Sequence, residues 1–342
     1  MRLPRRQFLR LAAGAMTFGA TQAQTQENEK TYVMKVTVPT LNDATHQAAK
    51  NFVAAVERDS GGRIKAEVYP GSQLGSMARQ IEGTQFGTIQ VAVMSAEFFV
   101  GVDERFEVLA APGLADSMEH AQRIAADGEV LKLMLGLGAD KGLRGVGLLT
   151  YSPSSVISKT PIRHLADLKG RKIRTLASQF QTSVFDRLGA TPVVMTLGDI
   201  LPALQQGTID GTLGGMPIYT NMHFIDAAKY VTETNQSTLF VVIEVSKRWY
   251  ESLPADLQHV IDKAGVEESL AINPFATELF TNARKVWMNS GGELISLPRD
   301  EQALMFETLA SVGDDVSRTK PALRQAYETV KAAAKRTRQS GQ

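Results

Sequence analysis

Residues 32–59 read YVMKVTVPTLNDATHQAAKNFVAAVERD, and they decide the fold class. Tyr32–Val38 is rich in β-branched residues and alternates in polarity, which predicts a strand. Pro39 to Asp43 has the composition of a turn. From Ala44 to Asp59 the apolar residues recur at helical spacing. The stretch therefore predicts a strand followed directly by a helix, which is how a β-α-β unit begins.

The same alternation continues along the chain and then recurs. Gly61 and Gly62 end the first helix, and a second strand, helix and short buried strand follow at Ile64–Tyr69, Met77–Phe86 and Val91–Met94. The later unit has predicted strands at Leu143–Thr150, Lys172–Thr175 and Pro192–Val194, helices at Ser178–Leu188 and Asp199–Gln206, and a closing segment at Ile209–Thr212.

Two such units predict an α/β protein with two lobes and a cleft between them. Ligands of open α/β sheets bind at the carboxyl ends of strands. Those ends are here Pro39–Asp43, Ser95–Phe99, Tyr151–Ser155, Thr175–Ala177 and Gly214–Met216. From Pro254 onward the chain is mostly helical. Residues Pro254–Asn289 predict one long helix, or two abutting helices with a kink at Pro274.

The N-terminal 23 residues are predicted to be an export signal. Arg5 and Arg6 begin a twin-arginine type motif, a weakly apolar stretch follows from Leu11 to Ala20, and Thr21-Gln22-Ala23 fits a cleavage site. The apolar stretch is too short to span a membrane. We therefore expect a periplasmic mature chain that is not inserted in the membrane.

Charge and cysteine content exclude several classes of protein. The formal net charge of the 342 residues is +1, and without the four arginines of residues 1–23 it is −3, which favours no nucleic-acid or anionic-membrane partner. The chain has no cysteine. Disulfides, thiolate metal sites and cysteine nucleophiles are therefore excluded.

No motif predicts catalysis. The five histidines have no metal-ligand spacing, and no Walker loop, dinucleotide fingerprint or nucleophile elbow is present. Asp103 and Glu104 are adjacent, so their side chains point apart. We expect no enzyme activity, no metal and no cofactor.

One basic residue stands apart from its neighbours. The segment LKGRKIRT at Leu168–Thr175 places Lys172 and Arg174 on one face of a short strand, with Ile173 on the core side. An arginine at the end of such a strand can hold a carboxylate with two parallel hydrogen bonds. From the residues alone, a solvated basic cluster is the favoured interpretation of this segment.

Several segments, in this order and spacing, resemble the solute-binding proteins of tripartite ATP-independent periplasmic (TRAP) transporters, over essentially the whole mature chain. The solute-binding proteins of this family bind dicarboxylates and other organic acids. The segments are GGRI at 61–64, YPGSQLG at 69–75, LKGRKIR at 168–174, LGATPVVM at 188–195, ALQQGTIDG at 203–211 and WYESLP at 249–254.

The resemblance implies a two-lobed periplasmic binding protein with hinge strands and a long helix bracing both lobes. It implies that Arg174 binds a carboxylate of the solute. The expected limits are a signal peptide over 1–23, lobe I over 28–151 plus about 240–275, lobe II over 152–239 plus about 276–332, and a polar tail over 333–342.

This sequence departs from the sialic-acid binders of that family at three positions. Ser154 stands where they carry a second arginine, Gly214 where they carry an asparagine, and Ser95 where they carry a glutamate. The absence of the glutamate and of the second arginine favours a smaller or less polar ligand, and leaves open whether it has one carboxylate or two. The other expected ligand neighbours are Asn42, Phe98, Tyr151, Met216 and Tyr219.

The resulting prediction is a monomeric extracytoplasmic receptor that delivers an organic anion to the membrane subunits of a TRAP permease. A periplasmic sensor that presents its ligand to a signalling receptor fits the same sequence. A periplasmic enzyme exported with its cofactor is a third hypothesis. The identity of the solute stays open, and keto acids, sugar acids, aromatic acids and dicarboxylates all fit.

Overall fold

The computed structural model describes residues 30–338, so the predicted export signal over 1–23 lies outside the described residues. The strands are β1 (Tyr32–Thr37), β2 (Ile64–Tyr69), β3 (Val91–Ser95), β4 (Leu143–Ser158), β5 (Lys172–Thr175), β6 (Thr191–Val194), β7 (Gly211–Gly215), β8 (Tyr230–Thr232), β9 (Thr238–Ser246) and β10 (Glu293–Ile295).

Helices cover the strands and form most of the C-terminal third. They are α1 (Ala44–Asp59), α2 (Met77–Phe86), α3 (Met118–Ala125), α4 (Gly128–Leu135), α5 (Gln179–Arg187), α6 (Ile200–Gln206), α7 (Met216–Asn221), α8 (Lys247–Glu251), α9 (Ala255–Ala271), α10 (Asn273–Asn289), α11 (Arg299–Leu309), α12 (Val312–Ser317) and α13 (Pro321–Thr337).

The first half of the sheet is built from the opening β-α-β-α-β segment. Its strand order is β2-β1-β3-β9, in which β1 pairs parallel with both β2 and β3. Buried apolar side chains of β1 and α1, among them Met34, Val36 and Phe52, belong to one hydrophobic cluster. Helix α1 follows β1 closely because the side chain of Asp43 accepts a hydrogen bond from the backbone N–H of His46 and caps the helix.

The second half of the sheet is centred on β5. This strand pairs parallel with β6 on one side and with β7 on the other. Ile173 of β5 packs with Phe180 and Val184 of α5 in a second hydrophobic cluster, which confirms the predicted core side of the strand.

The two halves are continuous because β4 runs through both of them. Its first part pairs with β9 from Leu143 to Pro153, and its second part pairs with β7 from Ser154 to Ser158. The sequence prediction ended this strand at Thr150 and was wrong there. Tyr151 to Ser155 has a turn-like composition, and the pairing with β9 is irregular between Thr150 and Ser152, yet the ladder resumes with Pro153 opposite Thr238.

The C-terminal helices span the two halves. Helices α9 and α10 abut at Ile272, and Pro274 lies in the first turn of α10, where its missing N–H costs no hydrogen bond. Helix α9 contacts β4 and α1. Helix α10 contacts both of these elements too, and it also contacts α7 and β10. No helix within residues 30–338 is long and apolar enough to cross a membrane. The lobe limits given above remain a prediction.

Candidate functional site

A cavity lies where the parallel strands of both halves end. Its empty space, including the opening to solvent, is about 540 Å³, and the part of that space that the centre of a water molecule can occupy is about 30 Å³. Most of its walls are apolar. The lining residues are Pro39, Thr40, Asp43, Thr45, Ser95, Phe98, Tyr151, Arg174, Leu176, Leu197, Ile200, Thr212, Leu213, Gly214, Ile218, Tyr219, Phe224 and Leu239.

Arg174 brings a buried cation to this cavity. Its side chain is 3% exposed, and Nε donates a hydrogen bond to the carbonyl oxygen of Met195 at 2.9 Å. The Nη2 atom is buried and has no hydrogen-bond partner within residues 30–338. Burial lowers the pKa of Arg174 to about 10, against the opposing effects of Tyr219 and Glu97, so the guanidinium remains charged at neutral pH. No ion pair with a carboxylate of the described residues satisfies it.

Glu97 is a buried acid that interacts electrostatically with Arg174. The sequence analysis did not predict a role for it. Burial, helped by Glu107, raises the pKa of Glu97 to about 7, while Arg174 acts in the opposite direction. Gln181 Nε2 donates to Glu97 Oε1 at 3.3 Å, and the other carboxyl oxygen has no partner among the described residues. Glu97 stands in a short 3-10 helix over Ala96–Phe99 that follows β3, and no motif in the local sequence marks it.

Asp43 places a buried acid in the wall of the same cavity. It is 1% exposed, and its two oxygens accept hydrogen bonds from the backbone N–H of His46 at 2.9 Å and from the hydroxyl of Tyr151 at 3.1 Å. Burial raises the pKa of Asp43 above its ordinary value, against these two hydrogen bonds and the opposing effects of the Thr40 hydroxyl and the Thr45 N–H. An aspartate immediately before a helix is an N-cap signal, so its position could have been found from the sequence.

Tyr219 explains one departure from the sialic-acid binders. Its ring is fully buried against Phe224 and Trp287, and its hydroxyl donates to the carbonyl oxygen of Ser155 at 2.7 Å. A Cβ atom added at Gly214 would lie 3.0 Å from the Tyr219 ring. Glycine at this position therefore makes room for the aromatic side chain, and no asparagine fits here without moving it.

The structure brings six of the nine predicted site residues into the lining, namely Ser95, Phe98, Tyr151, Arg174, Gly214 and Tyr219. The other three lie elsewhere. Ser154 is buried and its hydroxyl bonds to that of Ser237 at 3.2 Å, because the continued β4 ladder turns it away. Met216 packs in a hydrophobic cluster with Trp287. Whether the lining residues contact a solute stays a prediction.

Asn42 is exposed and contributes through its backbone. Asn221 at the end of α7 donates from Nδ2 to the carbonyl oxygens of Asn42 at 2.9 Å and of Leu41 at 3.3 Å. These bonds join the second half of the sheet to the turn after β1. Beside them, the surface lined by Thr40, Asp43 and Asn221 continues into a second, more open depression.

A second set of polar contacts joins the two halves of the sheet near the N-terminus of α5. The backbone N–H of Gln179 donates to a carboxyl oxygen of Glu107, and Lys320 pairs with Glu104 at 2.9 Å. Residues 30–338 contain no cluster of three or more acidic or histidine side chains that could hold a metal ion.

Comparison with known proteins places this geometry in context. The family model "Bacterial extracellular solute-binding protein, family 7" matches residues 36–319. The chain is 28% identical over 274 residues to the C4-dicarboxylate-binding periplasmic protein DctP of Rhodobacter capsulatus, covering 79% of this chain and 82% of that protein.

Solved structures give the same result for the fold. The sugar acid binding protein DctPAm of Advenella mimigardefordensis, in complex with galactonate, superposes with a TM-score of 0.84 at 23% identity, over 90% of this chain and 99% of that one. A TRAP periplasmic solute-binding protein of Shewanella oneidensis with bound succinate gives 0.81 at 25% identity, over 89% and 99%.

Proposed function

The chain belongs to family 7 of the bacterial extracellular solute-binding proteins and is a solute receptor of the TRAP type, and we propose that its solute is an organic acid whose carboxylate is held by Arg174. The observation that carries this proposal is the buried guanidinium of Arg174 in a mostly apolar cavity, whose Nη2 has no hydrogen-bond partner within residues 30–338. A carboxylate at that atom supplies the missing hydrogen bond and the missing countercharge.

Arg174 orients the solute, and apolar burial provides much of the affinity. A hydrogen bond to a charged group contributes roughly 1.5–3 kcal/mol net, whereas a micromolar dissociation constant corresponds to about −8.2 kcal/mol. The remainder comes from walls such as Phe98, Leu213 and Leu239, which lose contact with water when the site closes. We propose a hinge motion about the crossing strands β4 and β9 as the closing step.

The receptor then acts outside the cytoplasm and delivers its solute to a membrane permease. The family is extracellular, and two relatives reported above are named as periplasmic. Removal of residues 1–23 after export through the twin-arginine route leaves the mature chain in the periplasm. N-terminal sequencing of the exported protein, together with export of an Arg5→Lys, Arg6→Lys variant, tests this step.

Ligand screening tests the proposed function. A thermal-shift screen against organic acids finds the solute, because a ligand that binds only the native state raises its stability. Calorimetry then compares the wild type with Arg174→Ala and Arg174→Lys. We expect at least a tenfold loss of affinity in both, since an ammonium cannot reproduce the guanidinium fork.

The control is Lys172→Ala, which removes an exposed cation two residues away on the same strand. It should bind like the wild type. Unchanged affinity in Arg174→Ala would remove this arginine from the site. A large drop in melting temperature with unchanged affinity would assign it a structural role.

A further inference from the structure

The solute cavity contains two buried charges of opposite sign that come from opposite halves of the sheet. Arg174 lies on β5, whereas Asp43 follows β1 and caps α1. They line the same cavity, 3% and 1% exposed. Neither forms an ion pair with any residue in the described part of the chain. The cavity is therefore bipolar before a solute enters.

Asp43 is held firmly by donors of the surrounding fold. The N–H of His46 and the hydroxyl of Tyr151 each donate to one carboxyl oxygen. The hydroxyl of Thr40 and the backbone N–H of Thr45 also lower the pKa of Asp43, so four donors of the fold favour its carboxylate form against the effect of burial. Thr40 and Thr45 line the cavity beside it.

This arrangement discriminates between the two kinds of acid that the proposed function leaves open. When one carboxylate of a solute pairs with Arg174, a second carboxylate shares a water-poor cavity with Asp43. Like charges at close range in a poorly hydrated site repel each other strongly. A hydroxyl or ammonium group in the same place avoids this repulsion and adds a hydrogen bond to the Asp43 carboxylate.

We infer that Asp43 is a specificity residue, and that the solute is a monocarboxylate carrying a hydroxyl or ammonium donor. This inference rests on the proposed function. Dicarboxylates are rejected because the Asp43 carboxylate in the cavity wall repels their second carboxylate. Specific binding sites commonly use such repulsion to exclude close analogues. Because Asp43 also caps α1, its position is set by the fold before the solute arrives.

Two matched ligand sets test the inference by calorimetry. The first is 4-hydroxybutanoate, 4-aminobutanoate and succinate, which share four carbons and one carboxylate and differ at the other end. The second is galactonate and galactarate, which differ only in a terminal hydroxymethyl or carboxylate group. We expect the donor-bearing monocarboxylate to bind at least tenfold more tightly than its dicarboxylate partner in at least one set. The first set also shows whether hydroxyl or ammonium is preferred.

The variant Asp43→Asn separates charge from helix capping. Asparagine caps helices as well as aspartate does, so α1 keeps its N-terminal hydrogen bond. We expect Asp43→Asn to lose most of the preference, mainly because dicarboxylates bind more tightly. Asp127→Asn is the control, since it makes the same change at the N-cap of α4, outside the cavity. It should keep the wild-type ratio.

The outcomes distinguish this inference from the proposed function. A wild type that prefers dicarboxylates or acids without a donor, or an Asp43→Asn variant with the wild-type ratio, overturns the inference and leaves the carboxylate receptor in place. If neither ligand set nor the organic-acid screen yields any binder, both fall. Loss of folding in Asp43→Asn would show in its melting temperature, and Asp43→Ser, which keeps an N-cap oxygen, then provides the same comparison.

Discussion

At the residue scale, the most informative group after Arg174 is the buried carboxyl of Glu97. Its raised pKa of about 7 means that the folded protein holds a proton that the unfolded chain has already released at neutral pH. The stabilising contribution of that proton is fully present below the ordinary glutamate value of 4.5 and is lost as the pH rises to about 7. The full effect is on the order of 3 kcal/mol.

We therefore expect the variant Glu97→Gln to gain stability relative to the wild type as the pH rises from about 4.5 to about 7. Urea unfolding at several pH values in this window measures the difference. Glu82→Gln, an exposed glutamate on α2, serves as the control and should follow the wild type. A constant difference between Glu97→Gln and the wild type across the window would show that Glu97 titrates normally in the fold.

Sequence reasoning found the cation of this cavity and did not name its buried acid. Arg174 could be predicted because a motif resembling that of a known family contains it. Asp43 and Glu97 both lie in predicted strand-end segments, Pro39–Asp43 and Ser95–Phe99, but no residue type or spacing within them marked either acid as functional. The burial of Glu97, which does not line the cavity, depends on distant residues such as Gln181.

At the element scale, α7 contributes a closing contact through Asn221. Its two hydrogen bonds to the turn after β1 exist only when the halves are together. A net contribution of roughly 0.5–1.5 kcal/mol per hydrogen bond, or about 1–3 kcal/mol for the two, predicts that Asn221→Ala releases solute about fivefold to 150-fold faster, with a small change in the association rate.

Stopped-flow measurement of the dissociation rate tests this contact with the solute found by screening. Asn289→Ala removes an exposed asparagine at the end of α10 and is the matched control. If Asn221→Ala releases solute at the wild-type rate, the contact has no part in retention.

Elements with a clear period were predicted well, and the crossing strand was not. The bounds of β2, β5, α1 and α2 agree with their sequence patterns because burial on one face imposes the period. Strand β4 was cut short at Thr150 because serine and proline locally favour a turn. Pairing with β9 and then β7 overrides that preference, and no local pattern could reveal those partners.

At the scale of the whole molecule, the family and the two-lobed α/β fold were predicted correctly from short motifs. The halves move relative to each other only through the segments that join them, so closure should be visible as a change in overall dimensions. A compact chain of about 320 residues has a radius of gyration near 20 Å. We expect solute to reduce this radius in the wild type and in Lys172→Ala, but much less in Arg174→Ala at the same solute concentration.

Small-angle X-ray scattering with and without solute measures this change. The prediction fails if the wild type binds solute with no change in radius, because binding would then take place in a site that is already closed. It also fails if Arg174→Ala compacts fully at a solute concentration that leaves it mostly unoccupied.

The path of β4 and β9 has a consequence for biosynthesis. The sheet that begins with β1 near the N-terminus is completed by β9, which ends at Ser246, and α9 covers it later still. A ribosome must therefore release most of the polypeptide before the earliest strands acquire all their neighbours. Nascent chains of this protein will stay incompletely packed until late in translation, and they depend on cytoplasmic chaperones for longer than a protein whose domains are contiguous.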